Sequence, residues 1–138
     1  MADEVRDVVE GEGWAAAQVD ALSDEPGFRK IRRAIGVTAF GINAIELPAG
    51  YETGSHFHDE QQEVYFVHRG RIEMIFGNGR TIELGPGGVV RVDAATHRKV
   101  RSVGDEPAVY VVAGGKDGYV GRDGRLPEGE KRFGGPSE

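Results

Sequence analysis

Two of the four histidines, His56 and His58, stand one residue apart, and Glu63 follows five positions later. In an extended segment residues i and i+2 point to the same face, so the two imidazoles can present ring nitrogens to one point. A short loop through Asp59, Glu60, Gln61 and Gln62 would fold the chain back and carry the Glu63 carboxylate to that point. His97, after the turn at Asp93–Thr96, offers a third imidazole. Three neutral imidazoles and one carboxylate are a borderline-hard donor set, suited to one divalent transition metal: Fe, Mn, Ni, Co or Zn. No other cluster in the sequence has this composition. On spacing alone, a chance pair of loop histidines remains the competing reading.

The elements that must position these side chains are short and β-rich. Strands are predicted near Ile35–Leu47, Glu63–His68, Ile72–Phe76, Thr81–Leu84, Val89–Val92, His97–Val103 and Ala108–Ala113. They are separated by Gly, Pro, Asn and Asp clusters such as Gly77-Asn78-Gly79 and Gly85-Pro86-Gly87-Gly88. Many short strands at regular spacing, joined by turns that favour positive φ, predict an all-β antiparallel barrel or jelly roll. A helical period is sustained nowhere in this body. Before it, Trp14, Ala17, Ala21 and Leu22 share a helical spacing, which predicts a short N-terminal helix with Trp14 as its hydrophobic anchor. The basic run Phe28-Arg29-Lys30-Ile31-Arg32-Arg33 then reads as a connector or an anion-binding segment. The chain divides into residues 1–33, an N-terminal helical extension and linker, a barrel over 34–113, and a glycine-rich tail over 114–138. That tail either moves freely or drapes over the barrel and pins itself by Tyr119 and Phe133.

Composition narrows the function. With 138 residues the chain holds one domain of ordinary size. It has no cysteine, which removes thiolate metal sites, cysteine nucleophiles and disulfides. A net charge of -6 argues against a general nucleic-acid binder. No uninterrupted apolar run approaches the ~20 residues that a membrane span needs, so no membrane partner and a cytoplasmic location are expected. Glycine contributes 22 residues, more than twice its ~7% average share, and most of those in the body serve as turns.

The order Gly50, His56-Phe57-His58, Glu63, Gly70 resembles the first motif of the cupin superfamily, with every signature position filled. A second motif is matched more loosely through Gly85-Pro86-Gly87-Gly88, the strand Val89–Val92 and His97. Val92 and Ala94 stand where that family usually has Pro and Gly, and Arg101 where it often has Asn. The resemblance covers roughly residues 35–113. It implies a double-stranded β-helix of the small single-domain type, the cupin barrel. It also implies that His56, His58, Glu63 and His97 bind one metal, with two coordination positions left for water, substrate or dioxygen.

Counting by twos from Glu63 places Tyr65 and Val67 on the inner face, with Tyr65 lining the substrate side as wall or as the catalytic side chain. Counting by twos from His97 turns Lys99 and Arg101 inward, which a core resists. A bulge that brings Val100 and Val103 inward resolves that conflict; a pocket cation facing an anionic substrate is the other solution. Val64 and Phe66, apolar on the outer face of the same strand, suggest a homodimer contact. His68 is expected at the surface and Arg91 outward. Two functions follow. One is a metal-dependent enzyme on a small organic molecule, dioxygenase-like or isomerase-like; the other is a module that binds a small ligand or metal without turnover.

Overall fold

The computed structural model describes residues 2, 4–121, 123–127 and 133–134. In chain order the elements are β1 (Val9–Gly11), β2 (Trp14–Ala16), a 3-10 turn (Val19–Ala21), β3 (Gly27–Arg29), α1 (Ile31–Ile35), β4 (Gly41–Leu47), β5 (Glu52–Thr53), β6 (Phe57–His58) and β7 (Gln62–Arg69). They continue as β8 (Ile72–Phe76), β9 (Thr81–Leu84), β10 (Val89–Val92), β11 (Arg98–Ser102), β12 (Ala108–Gly115), β13 (Gly124–Arg125) and β14 (Phe133–Gly134). Two five-stranded antiparallel sheets, β10-β7-β12-β4-β3 and β14-β5-β11-β8-β9, form an all-β jelly roll. No helix among the described residues is long and apolar enough to cross a membrane.

Period-two alternation builds the core. On β7, Glu63, Tyr65 and Val67 are buried while Gln62, Val64, Phe66 and His68 are exposed. Tyr65 and Val67 pack with Ile45, Leu47, Ile72, Met74, Val92, Val100, Ala108 and Tyr110 between the sheets. The turn between β7 and β8 depends on Gly70. Its φ is +74°, and a Cβ there would stand 2.8 Å from both the Ala108 Cα and the Pro107 carbonyl oxygen; only glycine meets both demands.

The N-terminal segment departs from the sequence expectation. Residues predicted as a helix after Gly13 form an antiparallel hairpin, with Gly11 opposite Trp14, followed by the single 3-10 turn. Gly13, at φ +81°, makes the hairpin turn. Three alanines do not offset the cost of nucleating so short a helix. Trp14 remains largely exposed, its indole lying against Gly11. The helix instead takes the second half of the basic run, from Ile31, and ends at Ile35, the first residue of the first predicted strand. Ile31, Ile35 and neighbouring Val19 and Leu22 cover the outer face of β4 and β12 through Ala44, Val109, Ile42 and Val111.

The tail returns to the barrel. β13 pairs with β6, Gly124 opposite His58, and β14 pairs with β5. Tyr119 is held by the Arg32 guanidinium, 4.1 Å above its ring. Pinning by the Phe133 side chain lies outside the described residues.

Candidate metal centre

The segment carrying His56 and His58 is stitched to the approach to β11. His56 and Arg98 exchange backbone hydrogen bonds at 2.9 Å in each direction, and the His58 N–H donates to the Ala94 carbonyl at 2.8 Å. Held extended in this way, the two imidazoles meet edge to face with centroids 5.4 Å apart. β7 begins beside them and adds Glu63. Ligand atoms of His56, His58 and Glu63 all lie within 4.8 Å of one another, and among the described residues this is the group of His and carboxylate side chains able to hold a metal.

Ring nitrogens of both histidines are placed for coordination here. His56 Nδ1 faces the Gly54 carbonyl at 3.4 Å; a carbonyl only accepts, so Nδ1 carries the proton and Nε2 keeps its lone pair. His58 Nε2 is buried without a hydrogen bond. It lies 3.1 Å from Glu63 Oε1 but is misaligned for donation. On its other side, His58 Nδ1 is 2.9 Å from the Gln61 side-chain amide and 3.7 Å from Asp123 Oδ2. Either the amide donates to a bare Nδ1 or, turned over, it accepts from Nδ1–H; the second arrangement frees Nε2 for a metal. An orphaned buried imidazole nitrogen beside a carboxylate and a second imidazole fits a divalent transition metal.

Glu63 is held by two donors that also brace each other. Its Oε1 accepts from Tyr65 Oη at 3.0 Å and from Arg98 Nη2 at 2.8 Å, and Arg98 Nε reaches Tyr65 Oη at 3.3 Å. Burial alone would raise the Glu63 pKa, but His58 and Arg98 outweigh it and hold the carboxyl at about 2. Arg98 is the permanent charge of that pair, since guanidinium stays protonated throughout the working pH range. Burial, with Glu63 adding to it, pushes the Tyr65 hydroxyl well above its ordinary value. Tyr65 therefore keeps its proton and donates it to Glu63.

His56 has a pH signature. Burial, helped by the Arg98 charge, lowers its pKa to about 4, against about 6.5 in an unfolded chain. Between those values the unfolded chain binds a proton that the folded chain refuses, so stability falls on acidification through that window and levels off below it. The cost is at most about 1.4 kcal/mol for each pH unit. The metal-free protein is expected to lose melting temperature from pH 7 to pH 4, and His56→Asn to flatten that slope. An unchanged slope in the variant would contradict the assignment. Glu63 acts lower: its contribution is present above about pH 4.3 and fades toward pH 2.

His97 is not brought to this group. Its ring stacks on Phe57 at 4.5 Å, beside Gly77 on the outside of the barrel. Strand parity explains the difference. β11 buries Arg98, Val100 and Ser102, in unbroken register against β8, so His97 falls on the opposite face from Val100. The expected bulge is absent from this pairing, Val103 is exposed, and Lys99 turns outward toward Glu52 at 3.6 Å. Arg98 thus takes the inward place assigned to its neighbour. The sequence reading also missed Gln61 and Asp123. Val100 had to be inside, which by parity signals Arg98; nothing in the tail's composition singles out Asp123.

The group lies between two cavities. One, of about 400 Å³, is lined by His58, Gln61, Glu63, Asp123 and the β4 residues Gly41 and Asn43. A smaller one, about 170 Å³, is bounded by His56, Tyr65, Tyr110 and Leu126. Gly124 of the tail borders both.

The sequence profile described as Cupin domain matches residues 43–114. No curated protein matches the chain. Among solved structures, an uncharacterized conserved protein with a double-stranded β-helix domain from Klebsiella pneumoniae is similar at TM-score 0.67 and 20% identity, over 82% of this chain and 96% of that one. The DMSP lyase DddQ from Ruegeria pomeroyi DSS-3 is similar at TM-score 0.58 and 26% identity, over 66% of this chain and 45% of the lyase. A putative sugar phosphate isomerase from Acidithiobacillus ferrooxidans is similar at TM-score 0.57 and 26% identity, over 63% of this chain and 56% of the isomerase. The chain thus spans about half the length of these two enzymes.

Proposed function

Since this chain belongs to the cupin family, we propose that it is a mononuclear divalent-metal enzyme acting on a small organic molecule, with His56, His58 and Glu63 as the ligands. The observation that carries this reading is the buried, unbonded His58 Nε2 within reach of His56 and Glu63 at the edge of the larger cavity. A bound Fe, Mn, Ni, Co or Zn ion would supply Lewis-acid polarisation of a substrate oxygen, or dioxygen chemistry where the metal is redox-active. Isomerase-like and dioxygenase-like reactions are therefore both in scope, and the names of the lyase and isomerase neighbours support a small-molecule substrate.

The chain's own residues set up the site. Gln61, backed by Asp123, orients the His58 ring; Asp123 is itself fixed by the backbone N–H groups of Glu60 and Gln61 at 2.9 and 2.8 Å. Arg98 and Tyr65 aim Glu63, so Tyr65, predicted as wall or catalytic side chain, acts as a positioning residue. Ile45 and Val112 line both cavities and exclude water. The test is to load the protein with each metal in turn and assay small hydroxy acids, keto acids and sugar phosphates by oxygen uptake and NMR. Turnover that disappears in Glu63→Gln supports the enzyme; a loaded protein that turns over none of them supports the binding module. Failure to take up any metal overturns the enzyme.

The partner is a second copy of the chain. Val64, Phe66 and Val89 stay exposed on the outer face of β7 and β10, next to the half of that sheet covered by α1. An apolar strip continuous with a covered one suits an interface. Light scattering should report a dimer for wild type and a monomer for Phe66→Glu, with metal content unchanged; a monomeric wild type would refute the contact.

A further inference from the structure

The basic run after β3 divides sharply in three dimensions. Arg29 is buried and neutralised, 2.9 Å from Glu46 and 3.4 Å from Asp20. Lys30 and Arg33 are exposed and, among the described residues, have no carboxylate partner, although the chain carries six more acidic than basic side chains. Arg32 is half-buried, with its guanidinium over the Tyr119 ring. These three cations line a pocket of about 230 Å³ together with Phe28, Gly41, Asn43 and Tyr119. The last four residues also line the 400 Å³ cavity that contains His58 and Glu63. Asn43 sits on the inner face of β4, opposite Val112, and its side chain makes no hydrogen bond among the described residues.

The two pockets are therefore neighbours that share one wall, and their charges are opposed. Glu63 and Asp123 stand at one end; Lys30, Arg32 and Arg33 stand at the other. Unpaired cations at the end of a cavity attract an anion and raise its local concentration. A guanidinium already fixed on an aromatic face loses little freedom when it binds a carboxylate or phosphate. We infer that the substrate carries an anionic group, a carboxylate or a phosphate, which Lys30, Arg32 and Arg33 hold while Asn43 reads a polar atom of the intervening carbon chain and the other end meets the His58–Glu63 site. This rests on the proposed metal enzyme for what happens at the far end, but not for the anion site itself. Tyr119 gives the glycine-rich tail its part, because the tail supplies the surface that orients Arg32.

Calorimetry on the full chain loaded with Zn tests this with three probes of equal length: butyl phosphate, butyrate and butanol. Wild type should bind at least one anion more tightly than butanol, with an affinity that weakens as salt rises. Lys30→Ala/Arg33→Ala should reduce that affinity by about fivefold to tenfold while leaving butanol binding and zinc content unchanged; both residues are exposed, so the fold tolerates the change. Arg32→Gln should act in the same direction, and Arg33→Lys should retain binding. Preference for butyl phosphate assigns a phosphate ester, and preference for butyrate assigns a carboxylate. Anion affinity equal to that of butanol, or unaltered in the double variant, overturns the inference even where zinc binds. A protein that binds the anions through these cations but takes up no metal supports the anion site and refutes the metal enzyme instead.

Discussion

Arg98→Met is expected to destabilise the protein by about 3–5 kcal/mol, lowering the melting temperature by on the order of 10 °C. Arg98 is fully buried and satisfies several groups at once. Its Nη1 donates to the carbonyls of Thr96 at 2.6 Å, Ala94 at 3.2 Å and Asp93 at 3.4 Å, and its Nη2 donates to Glu63 at 2.8 Å. Removing it leaves a buried carboxylate without its permanent counter-charge and turn carbonyls without a donor, and unmet buried groups cost more than the net worth of the bonds they lose. Two further results should accompany the loss. Arg98→Met/Glu63→Gln should recover part of the stability, because the uncompensated charge is gone while the carbonyls remain unpaired. Added metal should rescue the single variant more than it raises wild type, because the ion supplies the missing positive charge beside Glu63. A drop below about 1 kcal/mol by chemical denaturation would show that Arg98 is not the keystone of this site.

The second large effect concerns the ligands. His58→Ala and Glu63→Gln should each weaken metal binding by more than a hundredfold, beyond the 10–100-fold typical of an outer partner. Asp123→Ala, acting through the His58 ring and the Glu60 and Gln61 amides, should fall within that outer range. His97→Ala should leave metal affinity unchanged, since its ring stacks on Phe57 instead of joining the group. Equal losses in His97→Ala and His58→Ala would restore the four-ligand set expected from the sequence and refute the three-ligand one.

Much of this is legible in the sequence, for identifiable reasons. Turn glycines and strand alternation are local signals, and they locate β7 to β12 closely, with Glu63, Tyr65 and Val67 on one face. The pairing of His56 with His58 needs only an extended backbone between them, which β6 provides. Less legible was anything decided by one unit of parity. His97 and Arg98 are adjacent, so a single-residue shift in where β11 begins exchanges a metal ligand for a buried guanidinium. Val100, a hydrophobe that had to be covered, carried that information. Tertiary pairing is harder still. The Ala-rich segment after Gly13 has a helical spacing, yet a glycine turn and cross-strand pairing with Val9–Gly11 convert it into a hairpin. Nothing near Asp123 in sequence records that the tail returns past Gly124 to lie against His58. The basic run before α1 likewise becomes informative once Arg29 is seen to be neutralised and its neighbours are not.

The most direct measurement is the metal content of the wild-type chain, by elemental analysis after expression with Fe, Mn, Ni, Co and Zn supplied and dialysis at neutral pH. About one divalent ion per chain is expected, released as the pH falls and the imidazoles protonate. A chain that stays metal-free with all five supplied would contradict the metal centre at His56, His58 and Glu63.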